Sequence, residues 1–204
     1  MKKLLLSAFV ICLAGTSIAQ ESPLWMRHCA LSPDGTTIAF TYKGDIYTVP
    51  STGGRATQIT TNPAFDTEPV WSPDSKQIAF ASDRMGSLDV FVVSSEGGAP
   101  QRLTTHSGSE KPVAYKDNKH ILFTANIAPS AEDAGFPSGQ FQQVYEVAVT
   151  GGRPAMFSSM PMECISINKE GVMLYQDKKG YEDYWRKHQV SPIARDIWTY
   201  TPGK

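Results

Sequence analysis

Ala30-Leu31-Ser32-Pro33-Asp34-Gly35-Thr36-Thr37-Ile38-Ala39-Phe40 returns forty residues later as Val70-Trp71-Ser72-Pro73-Asp74-Ser75-Lys76-Gln77-Ile78-Ala79-Phe80. Each copy reads as two short strands joined by a tight turn. Proline presets φ for the first turn position, and Asp, Asn or Gly tolerates the next. Val113-Ala114-Tyr115-Lys116-Asp117-Asn118-Lys119-His120-Ile121-Leu122-Phe123 is a degraded third copy. Ile165-Ser166-Ile167-Asn168-Lys169-Glu170-Gly171-Val172-Met173-Leu174-Tyr175 is a fourth. The Ile-Ala-Phe run is continuously apolar, the pattern of a strand covered on both faces.

The rest of each unit repeats as well. Asp45-Ile46-Tyr47-Thr48-Val49 matches Asp89-Val90-Phe91-Val92-Val93, then Val144-Tyr145-Glu146-Val147, then Asp196-Ile197-Trp198-Thr199-Tyr200. Gly53-Gly54, Gly97-Gly98 and Gly151-Gly152 follow in the first three units, supplying the positive φ of two-residue hairpins. Gln58-Ile59-Thr60 and Arg102-Leu103-Thr104 close the first two. Four strands per period of about 40–50 residues is the signature of a β-propeller blade. The predicted fold is therefore all-β, a propeller of four-stranded antiparallel blades at 24–60, 66–104, 110–158 and 163–204. The fourth unit breaks off after Thr201-Pro202-Gly203-Lys204. This predicts an arc cut from a larger propeller, with apolar end faces prone to aggregation.

Residues 1–19 stand outside the repeats. Lys2 and Lys3 precede an apolar run from Leu4 to Ala14, and Ser17-Ile18-Ala19 offers small residues for cleavage. The run is too short to span a bilayer. It reads as a signal peptide, with the mature chain starting at Gln20 in the periplasm or outside the cell. Cleavage removes two of the 19 basic residues and leaves 17 against 20 acidic ones, a net charge near −3. Such a balance argues against nucleic-acid binding and against membrane association once the signal is removed. Cys29 and Cys164 survive cleavage and fall on the innermost strands of blades one and four. Those strands should stand too far apart for a disulfide. Both are expected to be buried free thiols acting as small apolar residues.

The repeats resemble those of the Tol-system propeller, of prolyl oligopeptidase relatives and of tricorn-type serine peptidases. Tyr181-Glu182-Asp183-Tyr184-Trp185-Arg186-Lys187-His188 and Arg195-Asp196-Ile197-Trp198 are similar to the fourth-blade region of exported bacterial tricorn homologues. The resemblance spans about residues 24–204. It implies a parent serine endopeptidase with a second propeller, a PDZ-like module and a C-terminal catalytic region carrying its serine and histidine. No residue here matches that catalytic motif. The implied role is a non-catalytic N-terminal propeller for peptide access or docking, partnered by peptides or proteins and by downstream domains. The alternatives are a stand-alone Tol-like interaction scaffold and the propeller cap of a prolyl-oligopeptidase-like hydrolase.

No cofactor or metal is called for. The four histidines, His28, His106, His120 and His188, lack metal-type spacing. Ser32 and Ser72 lie beside Asp34 and Asp74 with no histidine in register, so they read as turn-stabilising groups. The loops between strands two and three lengthen along the chain. Phe40 to Tyr47 is 7 positions, Phe80 to Phe91 is 11, Phe123 to Tyr145 is 22 and Tyr175 to Trp198 is 23. The two long excursions share one face, and long loops are functional or disordered. Tyr181, Tyr184, Trp185 and Arg186 either form a partner surface or pack down onto a neighbour. Glu68, Glu110 and Glu163, near the starts of inner strands on that face, are either solvated connection residues or a ring of charge drawing cationic peptide groups to the channel mouth.

Overall fold

The computed structural model describes residues 25–127, 142–160, 162–168, 170–177 and 196–201. Among the described residues, fifteen strands form four antiparallel sheets in chain order. Blade one holds β1 (Arg27–Leu31), β2 (Thr37–Tyr42), β3 (Asp45–Pro50) and β4 (Thr57–Gln58). Blade two holds β5 (Asp66–Trp71), β6 (Gln77–Ser82), β7 (Asp89–Ser94) and β8 (Gln101–Arg102). Blade three holds β9 (Lys111–Asp117), β10 (His120–Ala125), β11 (Gln143–Ala148) and β12 (Ala155–Ser158). Blade four has three strands among the described residues: β13 (Met162–Ile167), β14 (Met173–Asp177) and β15 (Ile197–Tyr200). Neighbouring inner strands touch in sequence, β1 with β5, β5 with β9 and β9 with β13.

The side-chain alternation sends each blade's two faces into two different cores. Ala39 and Ile46 of blade one meet Trp71, Ile78, Phe80, Phe91 and Val93 of blade two. Ala79, Val90 and Val92 on the reverse of blade two meet Tyr115, Ile121, Phe123, Tyr145 and Val147 of blade three. Leu122 and Val144 then meet Met162, Ile165 and Met173 of blade four. The core is thus a series of inter-blade seams, which explains why the second strand of each unit carries a continuous apolar run, Ile38-Ala39-Phe40, Ile78-Ala79-Phe80, Ile121-Leu122-Phe123 and Met173-Leu174-Tyr175.

The repeated turn is held by its own side chains. Ser32 Oγ donates to Asp34 Oδ1 at 2.6 Å and accepts from the Thr37 amide at 2.9 Å. Ser72 does the same with Asp74 and Gln77, at 2.7 and 2.9 Å. The two serines therefore act as turn-stabilising groups. In blade three, Asp117 alone accepts from the amides of Lys119 and His120, and in blade four Asn168 accepts from Glu170 and Val172. The turns are also laced across seams. The Asp34 amide donates to Ser75 Oγ at 3.3 Å, and the Asp74 amide to Asn118 Oδ1 at 3.1 Å.

With one side chain doing two jobs, the later turns are one residue shorter. Leu31 pairs with Ile38 and Trp71 with Ile78, but Tyr115 pairs with Ile121 and Ile167 with Met173. A gapless alignment of the four copies therefore misplaces the inner strands of blades three and four by one position. All four inner strands carry a bulge at this place, and in blades one, two and four it holds His28, Glu68 and Cys164 in the left-handed region at φ 51°, 55° and 52°. Proline cannot adopt that angle, and Pro112, at the corresponding position of blade three, pairs with Phe123 beside the bulge. Cys164 thus corresponds to His28 rather than to Cys29. Both thiols are free, but both are exposed. The expectation that they fill the core is corrected: bulges re-aim side chains, and these two residues lie at bulges.

Candidate functional site

The inner strands of all four blades converge on an axial cleft of about 630 Å³. Leu31, Trp71, Tyr115 and Ile167, the last large side chain before each turn, contribute to its wall beside Ala30, Val70, Val113, Ala114 and Ile165. Lys116, Asp117, Asn118 and Asn168 add polar groups on the turn side. Trp71 is fixed by its indole N–H, which donates to the Ala30 carbonyl at 3.0 Å. Tyr115 is held by the blade two–three seam, and its hydroxyl is buried without a hydrogen-bond partner among the described residues. Burial, with the Asp74 carboxylate adding to it, pushes that phenol far above its usual range. An apolar wall with a few polar groups suits a small apolar ligand or a peptide side chain. The cleft residues lay inside the quoted repeats. The usable signal is the recurring large residue just ahead of each turn.

The opposite end of the arc carries the loops after the second strands. There the glutamates part company. Glu68 pairs with Lys111 at 2.8 Å across the blade two–three seam. Glu163 is half-buried on β13. Glu110 is wholly buried, and its place as a mouth residue is corrected. It precedes β9 at the position that Asp66 holds in blade two: the Glu110 amide donates to the Leu88 carbonyl as that of Asp66 donates to Gly44. Tyr181, Tyr184, Trp185 and Arg186 lie outside the described residues, as do the segment 1–19 and positions 128–141 of the blade-three loop.

Buried acids paired inside the blades stand at that end instead. Arg84 Nη2 donates to both oxygens of Asp66 at 3.0 Å, and its Nε to Ser82 Oγ at 2.8 Å. Arg102 lies 2.9 Å from Asp89 Oδ2. Thr60 and Thr104 accept from the Ile46 and Val90 amides, both at 2.9 Å. Glu110 Oε2 accepts from the His106 amide at 3.3 Å, while Oε1 has no hydrogen-bond partner among the described residues. Burial pushes the Glu110 carboxyl above its ordinary range. The nearby Asp89 charge adds to that shift, against hydrogen bonds from Thr104 and His106. Burial also raises Asp89, against the hydrogen bond and charge of Arg102.

A carboxyl raised on folding favours the fold when protonated. Its contribution is fullest below the unfolded pKa and is lost as pH rises through the folded one. Glu110→Gln, which cannot ionise, is therefore expected to stabilise the chain at pH 7 by about 1–2 kcal/mol, the cost of one unsatisfied buried polar group. The advantage should vanish near pH 4. Urea unfolding at the two pH values measures it, and an equal difference at both would exclude ionisation as the cause.

Among the described residues no three His, Cys, Asp or Glu side chains gather as metal ligands. His120 Nδ1 faces Asp117 at 3.0 Å, and His106 Nδ1 accepts from the Gly108 amide at 3.0 Å. Both histidines serve local loop geometry.

Comparison with known proteins agrees with this architecture. Residues 23–204 match the model of the tricorn protease N-terminal β-propeller domain. The chain is 39% identical over 77 residues to tricorn protease homolog 1 of Streptomyces coelicolor, covering 38% of this chain and 7% of that protein. It is 32% identical over 108 residues to the uncharacterized peptidase YuxL of Bacillus subtilis, covering 47% of this chain and 16% of that protein. The chain therefore spans less than a fifth of either relative. The crystal structure of the tricorn protease shares the fold, with a TM-score of 0.61 at 15% identity, over 88% of this chain and 22% of that one. With its seams, turns and matched span accounted for, the chain belongs to the family of tricorn protease N-terminal β-propeller domains.

Proposed function

We propose that this propeller is the non-catalytic N-terminal segment of a larger serine endopeptidase and that it docks peptides on their way to or from the catalytic region. The axial cleft carries this reading. Four blades each commit a large inner-strand side chain to one concavity. An extended peptide could place an apolar side chain against Trp71 and Val70. Its backbone could hydrogen-bond the polar groups of Lys116, Asn118 and Asn168 on the turn side of the cleft. Residues 1–19 fit the same proposal as an export signal, since an exported peptidase works on peptides outside the cytoplasm.

The test is fluorescence polarisation of labelled apolar oligopeptides titrated with the chain and with Ala114→Trp, which plugs the cleft from its wall. Binding weakened at least about tenfold, or about 1.4 kcal/mol, is expected. Equal binding by the plugged variant, or none by the wild type, would overturn the reading.

A further inference from the structure

A second cleft, of about 350 Å³, lies in the seam between blades one and two on the turn side. Both walls come from blades with all four strands described, and Trp71 lines this cleft as well as the axial one. The equivalent place in the blade two–three seam is filled. There Val92 belongs to the core cluster and Val149 packs against it. Gln101 spans the outer edge, its Nε2 donating to the Thr150 carbonyl at 3.1 Å. The strand registers identify the counterparts. Thr48 pairs with Ala39 as Val92 pairs with Ala79, and Thr57 pairs with Thr48 as Gln101 pairs with Val92. The Ser95 amide donates to the Lys76 carbonyl as the Val149 amide donates to that of Lys119. Blades one and two thus bring Thr48, Ser95 and Thr57 to positions where blades two and three bring two valines and a bridging glutamine. Hydroxyls wall an open cleft where the next seam has an apolar plug and a strap.

None of these three hydroxyls makes a hydrogen bond among the described residues. The side chains of Arg55 and Glu96 line the same cleft, and neither forms an ion pair or hydrogen bond among the described residues. The Asp34 carboxylate, the other charge in the wall, is spent on the Ser32 hydroxyl and the Thr36 amide. One cation, one anion and three groups that both donate and accept suit a ligand that is neutral overall and rich in hydroxyls. Trp71 and Pro50 add apolar surface for its C–H faces. An extended peptide fits less well. It would meet β3 face on, and β3 is already paired on both edges with β2 and β4, which denies the main-chain pairing that adds peptides to sheets. We propose that this seam cleft is a carbohydrate site for a neutral mono- or disaccharide, separate from the axial cleft. Its volume stands at the small end of ligand sites, which run from about 300 to 1,000 Å³.

Isothermal titration calorimetry of the chain with maltose, lactose and N,N′-diacetylchitobiose provides the test. At least one of these sugars should bind with a Kd of about 1 mM or tighter. Thr57→Gln rebuilds the strap of the next seam at an exposed position and should weaken that binding at least about tenfold. Thr48→Val with Ser95→Val rebuilds the plug and should abolish binding, while near-ultraviolet circular dichroism shows the fold kept. Ala114→Trp, which plugs the axial cleft, should leave sugar binding unchanged, so this site and the peptide reading stand or fall separately. No binding by any of the sugars would overturn the proposal. So would equal binding by Thr57→Gln and by the valine pair, or a matching loss from Ala114→Trp, which would put the sugar in the axial cleft. Weakened binding of the labelled oligopeptides by Thr57→Gln, with the sugars unaffected, would assign the cleft to peptides and overturn it as well.

Discussion

Arg84→Met is expected to lower the unfolding free energy by about 3–5 kcal/mol at neutral pH, the range for removing one partner of a buried ion pair. Asp66 is fully buried at the start of β5, and Arg84 reaches it from the loop after β6. The guanidinium binds both carboxylate oxygens and the Ser82 hydroxyl, and it lies 4.4 Å from the centroid of the Phe91 ring. Methionine preserves the apolar stem over that ring and removes only the charge and its donors. A carboxylate with no counter-charge in a protein interior cannot recover its hydration. Adding Asp66→Asn should return much of the loss, because a neutral amide needs no counter-ion. The double-mutant cycle from urea unfolding provides the measurement. A loss under about 1 kcal/mol would place this pair among solvent-screened surface pairs, contrary to its burial.

Phe123→Ala is expected to cost about 3–5 kcal/mol as well, here by opening a cavity. Phe123 is fully buried in the blade two–three seam and stacks on Tyr145 with ring centroids 5.7 Å apart. Among the described residues the buried clusters all lie in seams, so losing one weakens coupling between blades rather than a single blade. The urea transition should broaden as well as move, since repeat arrays owe their cooperativity to nearest-neighbour contacts. Phe65→Ala serves as the control. Phe65 is exposed, and its loss should stay within about 0.5 kcal/mol. Equal effects at the two sites would contradict a core made of seams.

The blade repeat was legible because turn chemistry and apolar runs recur together. Ser-Pro-Asp names the turn, and Ile-Ala-Phe names a strand buried on both sides. The one-residue shortening of the later turns was not legible. Asp117 and Asn168 replace a serine–aspartate pair through hydrogen bonds that leave no trace in an ungapped comparison. That slip would set Cys164 opposite Cys29, whereas its structural counterpart is His28. Glu110 looked solvated because a lone glutamate before a strand usually is, and its burial depends on residues of the preceding blade. Arg84 and Asp66 stand eighteen positions apart, with nothing local to mark them as partners. The cleft suffered the reverse fate. Leu31, Trp71, Tyr115 and Ile167 were in view, but only the assembled arc turns four unrelated side chains into a wall.

The lacing between turns also sets a timetable. The Asp34 amide finds its acceptor 41 residues downstream, and the Asp74 amide finds its own after 44. A chain that emerges from its amino terminus, whether from a ribosome or across a membrane, therefore holds each blade incomplete until the next one arrives. Maturation should advance as a wave, one blade behind the growing end, and a pause between blades would leave the unfinished edge open to misassembly.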